Sequence, residues 1–211
     1  MRATSTHDGL ITPHGGGPLV NRHPDAAARD ALAAALPHLP KLTLTHREAA
    51  DLALIACGAL SPLTGFMTQH DYEAVLLHMH LPTGAPWTLP VVLSASDAEA
   101  AAIALHDQVA LRAPDGALLG VMDVHDRWRP DKDREALLTL ATNSPDHPGA
   151  RYLRDEAGPV YLGGPIWALR EEPPLDPDIA PWWRTPAQTR AAFQQRGWRS
   201  VVAFQTRNPM H

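Results

Sequence analysis

The chain has 211 residues, 45% of them hydrophobic, and a formal net charge of −5. That is enough apolar sequence for one large core, or one core and part of a second, so global disorder is excluded. The acidic balance argues against a broad nucleic-acid surface, and any anion site has to be a local cluster.

Residues 1–24 are rich in Gly, Pro and His, and Pro13-His14-Gly15-Gly16-Gly17 reads as a mobile arm. A glycine loop can cradle phosphate, but no Lys-Ser/Thr follows as in a P-loop. Residues 25–36 are Ala-rich and predict a helix, with Pro37 beyond its end. Leu42 and Leu44 alternate with polar residues, as in a short strand. Thr45-His46-Arg47-Glu48 is a capping box that opens a helix running to Gly58. The single cysteine, Cys57, ends that apolar run; it reads as a buried, inert thiol, and it forbids an internal disulfide. In Ser61-Pro62-Leu63-Thr64-Gly65-Phe66, Pro62 and Gly65 fix a turn and Leu63 and Phe66 plug it, a folding role with no chemistry.

Residues 69–80 predict a helix. His78 and His80, two apart, would then point to different faces, which argues against a metal pair. Residues 87–93 predict a strand with an edge or bulge at Pro90. Ser96 to Glu99 opens a short helix. Residues 109–112 and 117–124 predict strands joined by the turn Pro114-Asp115-Gly116. Asp123, His125 and Asp126 have the spacing of metal ligands, although a polar strand end is the commoner reason for it. Trp128-Arg129-Pro130 closes this sheet region. Residues 133–140 predict a helix, 143–150 a loop, and 161–166 a last strand with a bulge. Residues 171–181 hold four prolines and four acids and predict a stiff linker. The domain boundary is expected at about residue 170. Before it, short strands, a hairpin and short helices imply a mixed α+β domain with a small, partly closed barrel.

After the linker, Thr185-Pro186-Ala187-Gln188 is a capping box with Pro at the first helical position, and Gly197 is placed to end the helix it opens. Val201 to Phe204 predicts a short buried strand, and Gln205, Thr206, Arg207, Asn208 and His211 follow it. In an open parallel sheet the loop at a strand's carboxyl end is the ligand site. Arg207 offers a rigid donor fork to an oxyanion, Gln205 and Asn208 neutral amides, and a helix starting near Pro209 free N–H groups. His211 could donate to a phosphate oxygen as charge grows there. The stretch holds no Cys, Ser-His pair or acidic dyad, so it positions and polarises, as phosphoryl or nucleotidyl transfer requires. On residue types alone, a loop that merely caps a helix fits equally well.

Gln205-Thr206-Arg207-Asn208-Pro209-Met210-His211 resembles the signature of the ATP sulfurylases (sulfate adenylyltransferases), a motif that continues in that family to a second His. Ser61 to Phe66, the run from Pro13 to Arg22, the strand at Trp87-Thr88 and the segment at His147-Pro148-Gly149 are also similar to that family. The resemblance implies a PUA-like domain over 1–170. Over 171–211 it implies a linker and the truncated start of a Rossmann-like α/β nucleotidyltransferase domain. It implies the reaction of ATP with sulfate to give adenosine 5′-phosphosulfate and pyrophosphate, in sulfate assimilation. Gln205 and Arg207 would hold sulfate, Thr206 and Asn208 would orient the ATP phosphates, and His211 would stabilise charge on them. All five would contact ATP. Mg²⁺ would accompany the nucleotide with no protein ligand identified. An incomplete portion of such an enzyme is expected to be inactive alone. The whole protein is expected to be a cytoplasmic homo-oligomer with no nucleic-acid or membrane partner. The alternatives are a nucleotidyltransferase acting on another acceptor and a PUA-like RNA-binding module. Competition by sulfate or molybdate would test the first. The second needs a basic, aromatic face.

Overall fold

The computed structural model describes residues 10–170 and 177–204. The sheet is organised around one strand, β7 (Val160–Ala168). It pairs antiparallel with β2 (Gly65–Phe66), β3 (Leu93–Ala95), β5 (Leu118–Asp123) and β6 (Asp126–Trp128). Leu162 is paired with Leu93 and with Arg127, so both edges of β7 are occupied there. The sheet continues from β5 to β4 (Gln108–Arg112) and ends on β1 (Lys41–Thr43), which lies parallel to β4. A strand with partners on both edges and both faces covered should read as continuously apolar rather than alternating. Tyr161, Leu162 and Ile166 are accordingly inaccessible.

The helices are set by their caps. Asp25 caps α1 (Ala26–Ala35), and Pro37 is accommodated in a 3-10 turn, Leu36–His38, rather than standing outside the helix. Complete capping boxes open α2 (His46–Ala56), α3 (Gln69–His78) and α4 (Asp97–Ala101). Asp131 caps α5 (Lys132–Leu140). Leu52 and Ile55 of α2 pack on a core that includes Leu93, Leu111, Met122 and Leu162.

Glu48 does more than close its box. One oxygen accepts from the Thr45 backbone N–H and hydroxyl, and the other accepts from the Ser94 N–H and hydroxyl, all four at 2.8 Å. The buried carboxylate thus ties the start of α2 to β3. Glu48→Ala should cost about 2 kcal/mol, as a lost cap plus newly unsatisfied donors do. A urea unfolding midpoint unchanged from wild type would contradict this.

Several expectations are corrected. The described part of the N-terminal arm is stitched down rather than mobile. The Val20 N–H donates to Ser61 Oγ at 3.1 Å, and the Arg22 N–H donates to the Ala56 carbonyl at 2.9 Å. Arg22 Nε donates to the Ile166 carbonyl at 2.8 Å, and its guanidinium lies 3.8 Å from the Trp167 ring centroid. Residues 87–92 form no strand; β3 begins only at Leu93, because Pro86 and Pro90 supply no N–H for a ladder. The expected loop at 143–150 holds over 143–147, but its last three residues open α6 (Pro148–Asp155), with His147 as its cap and Pro148 in its first turn. Residues 126–128 are a strand in their own right. The helix expected over 69–80 stops at His78, because Met79 turns left-handed (φ 54°). That turn brings the His78 and His80 rings into a stack, centroids 5.6 Å apart, where a continuous helix would separate them. Cys57 is half-buried, not buried.

Candidate functional site

The element leading into the expected site is α7 (Pro186–Gln195), opened by the Thr185–Gln188 capping box. Gly197 has φ 64° and its N–H donates to the Gln194 carbonyl, the helix stop expected from the sequence. Trp198 then folds back on Phe193, with ring centroids 5.9 Å apart and the Arg196 guanidinium 5.3 Å from the Trp198 ring. The strand expected at 201–204 is not formed. No strand is assigned there, and Val202 and Phe204 are 94% and 76% exposed. A parallel strand needs hydrogen-bonded neighbours, and the described residues provide none beside it. Gln205, Thr206, Arg207, Asn208 and His211 lie outside the described residues. So do residues 171–176 of the expected 171–181 linker, while Ala180–Trp182 form a short 3-10 turn at its end.

Within the described residues, Ser61 to Phe66 does what its residue types predict. Ser61 Oγ donates to the Gly58 carbonyl at 2.7 Å, and Leu63 and Phe66 are buried. Gly65 lies against β7 so closely that a Cβ there would sit 1.9 Å from the Gly164 carbonyl oxygen. Asp123 accepts from Gln108 Nε2 at 2.8 Å, Asp126 accepts from the Gln69 N–H at 2.8 Å, and the His125 N–H donates to Gly163. These are strand-end polar contacts. No group of three or more His, Cys, Asp or Glu among the described residues could hold a metal ion.

Sequence reasoning missed a buried polar centre. Glu135 on α5 is buried, and its Oε2 accepts from the Tyr72 hydroxyl at 3.0 Å and the Tyr161 hydroxyl at 3.1 Å. Trp128 packs on both tyrosine rings, at centroid distances of 5.6 and 5.7 Å. Burial pushes the Glu135 carboxyl above its usual 4.5, against the opposing pull of the two hydroxyls and of Lys132 and Arg47. Burial and the Glu135 charge push both tyrosines up as well. Beside Glu135 is a small cavity of about 90 Å³ that also touches Asp51 and Tyr152. Arg47 stands 4.7 Å over the Tyr152 ring, and burial raises the Asp51 carboxyl.

The sign of the pH effect follows from these directions. A folded carboxyl with a raised pKa holds its proton after the unfolded one has lost it, so stability falls as pH rises above about 4.5. Glu135→Gln can still accept from both tyrosines and should remove much of that slope. Its stability relative to wild type should therefore grow between pH 4.5 and neutrality. A difference in unfolding free energy that is flat with pH would contradict the assignment.

Residues 11–171 match the family described as a PUA-like domain, and residues 180–211 match the family described as ATP-sulfurylase. A sulfate adenylyltransferase of Symbiobacterium thermophilum is 48% identical over 201 residues, 95% of this chain and 50% of the relative. Over most of its length the chain belongs to the PUA-like domain family. A probable bifunctional SAT/APS kinase 2 of Sorangium cellulosum is 45% identical over 203 residues, 96% of this chain and 34% of that protein. Among solved structures, a hexameric APS kinase from Thiobacillus denitrificans superposes with a TM-score of 0.72 at 32% identity, over 96% of this chain and 35% of that one. The chain thus spans about half the length, or less, of these ATP-sulfurylase relatives. Its PUA-like part is the α/β fold with a curled, mixed sheet described above. No helix among the described residues is long and apolar enough to cross a membrane.

Proposed function

We propose that the protein is a sulfate adenylyltransferase, joining ATP and sulfate into adenosine 5′-phosphosulfate and releasing pyrophosphate, in sulfate assimilation. The observation that carries this reading is the 48% identity to a sulfate adenylyltransferase over 95% of the chain, together with the match of residues 180–211, heptapeptide included, to the ATP-sulfurylase family. Sulfate is a weak dianionic nucleophile that must approach a polyanionic nucleotide. The protein's task is to suppress that repulsion and hold the reactants in line.

Gln205 and Arg207 hold sulfate, the arginine by its two-pronged fork. Thr206 and Asn208 orient the ATP phosphates. His211 stabilises charge on them while sulfate oxygen attacks the α-phosphorus and pyrophosphate leaves. This donor set contains amides, a hydroxyl, a guanidinium and an imidazole but no carboxylate. That composition fits phosphate oxygens better than a metal ion, so Mg²⁺ would come with ATP, screening its phosphates, rather than on a protein carboxylate. The PUA-like domain ends near residue 170, and α7 begins a Rossmann-like nucleotidyltransferase domain of which 201–204 becomes an inner strand once its neighbours are in place. The exposed Val202 and Phe204 support that assignment. The protein works in the cytoplasm as a homo-oligomer, a reading supported by the hexameric structural relative.

The test is pyrophosphate release from ATP by the whole protein, with and without sulfate. Release that requires sulfate is the expected result. Release that ignores sulfate and follows another acceptor would move the reading to a different nucleotidyltransferase.

A further inference from the structure

The glycine-rich arm, the turn after α2 and the first turns of α7 enclose a cleft of about 350 Å³. Its walls carry His14, Arg184 and Arg190, and among the described residues no aspartate or glutamate lines it. In a chain of net charge −5 this is a local reversal of sign.

Among the described residues, the hydrogen-bond partners of these basic groups are backbone carbonyls. Arg184 Nη1 donates to the Pro181 and Trp183 carbonyls at 3.0 and 2.6 Å. Arg190 Nη2 donates across the junction to the Ile11 carbonyl at 2.7 Å. His14 Nε2 lies 2.8 Å from the Pro86 carbonyl. Carbonyl partners fix the planes of the two guanidiniums but cancel no charge, and each fork has five N–H groups in all, so donors remain. Pro186 and Thr189 bring the first turns of α7 to the same wall, whose dipole adds partial positive charge.

We propose that this cleft binds a tetrahedral dianion between Arg184 and Arg190, using residues distinct from the 205–211 stretch. The ligand is a free phosphate or sulfate, or the terminal phosphoryl of a larger molecule. Two arginines lining one cleft that no described carboxylate lines match the charge of such an ion, and a guanidinium fork suits its oxygens.

Cys57, the only cysteine in the sequence, lies in the wall that this cleft shares with a neighbouring cavity, and the arginine variant below separates the two. The 211-residue chain would be labelled with N-ethylmaleimide, an uncharged reagent, during titration with sodium phosphate and separately with sodium sulfate. Sodium chloride at equal ionic strength is the control. The labelling rate should fall about tenfold at a dianion concentration ten times its Kd, as simple mass action requires. Arg184→Gln, an exposed position whose described hydrogen bonds are local, should abolish that protection without changing the far-ultraviolet circular dichroism. Protection by both dianions identifies a general site; protection by one alone identifies its ligand. No saturable protection by either ion, equal protection by chloride, or full protection in Arg184→Gln would overturn the proposal.

Discussion

Arg207→Ala in the whole protein should lower kcat/KM for adenosine 5′-phosphosulfate formation by at least about a hundredfold, equivalent to about 3 kcal/mol of lost transition-state stabilisation. Arg207, in the role proposed for it, offsets the charge of sulfate and orients the dianion as it approaches the polyanionic nucleotide. An Arg207→Lys enzyme should recover only part of the loss, because a point charge cannot reproduce a two-pronged fork. Steady-state kinetics at varied sulfate reads the effect, and wild-type turnover in the alanine variant would remove Arg207 from the site.

Gly65→Ala should destabilise the PUA-like domain by about 3 kcal/mol or more, the cost of overpacking where nothing can yield. The new Cβ would lie 1.9 Å from the Gly164 carbonyl oxygen and 2.5 Å from the Pro165 Cα, both backbone atoms of β7. No rotamer change relieves such a clash, so β2 would have to leave the strand that organises the sheet. For a domain of this size the melting temperature should fall by about 6–12 °C. Thermal unfolding measures it, and a shift under about 2 °C would show that β2 and β7 separate at little cost.

The parts of the fold that sequence displays are those governed by local chemistry. The capping boxes at Thr45, Ser96 and Thr185 open helices where their side chains predict. The Pro114-Asp115-Gly116 turn joins β4 to β5, and Gly197 stops α7. What stayed hidden depends on partners distant in the chain. Residues 126–128 become a strand only because β7 offers an edge, and the arm settles because Arg22 finds Trp167 and Ile166. Glu135 gave no signal at all. Its helix exposes Leu137 and Leu138 and buries the carboxylate, the reverse of an amphipathic pattern, because two tyrosine hydroxyls 63 and 26 residues away satisfy it. The candidate catalytic residues, Gln205 to His211, lie outside the described residues, and their residue types alone fit a helix-capping loop equally well. Their supporting strand was misread at 201–204, because four apolar residues are buried only where neighbouring strands complete a sheet.

The central claim is the chemistry of the heptapeptide ending at His211, and its most direct test is the reaction run backwards. Whole protein would be mixed with adenosine 5′-phosphosulfate, pyrophosphate and Mg²⁺, and ATP formation followed by luciferase light. The account predicts steady ATP production that falls at least about a hundredfold in Arg207→Ala. A well-folded wild-type protein that makes no ATP from these substrates would contradict it.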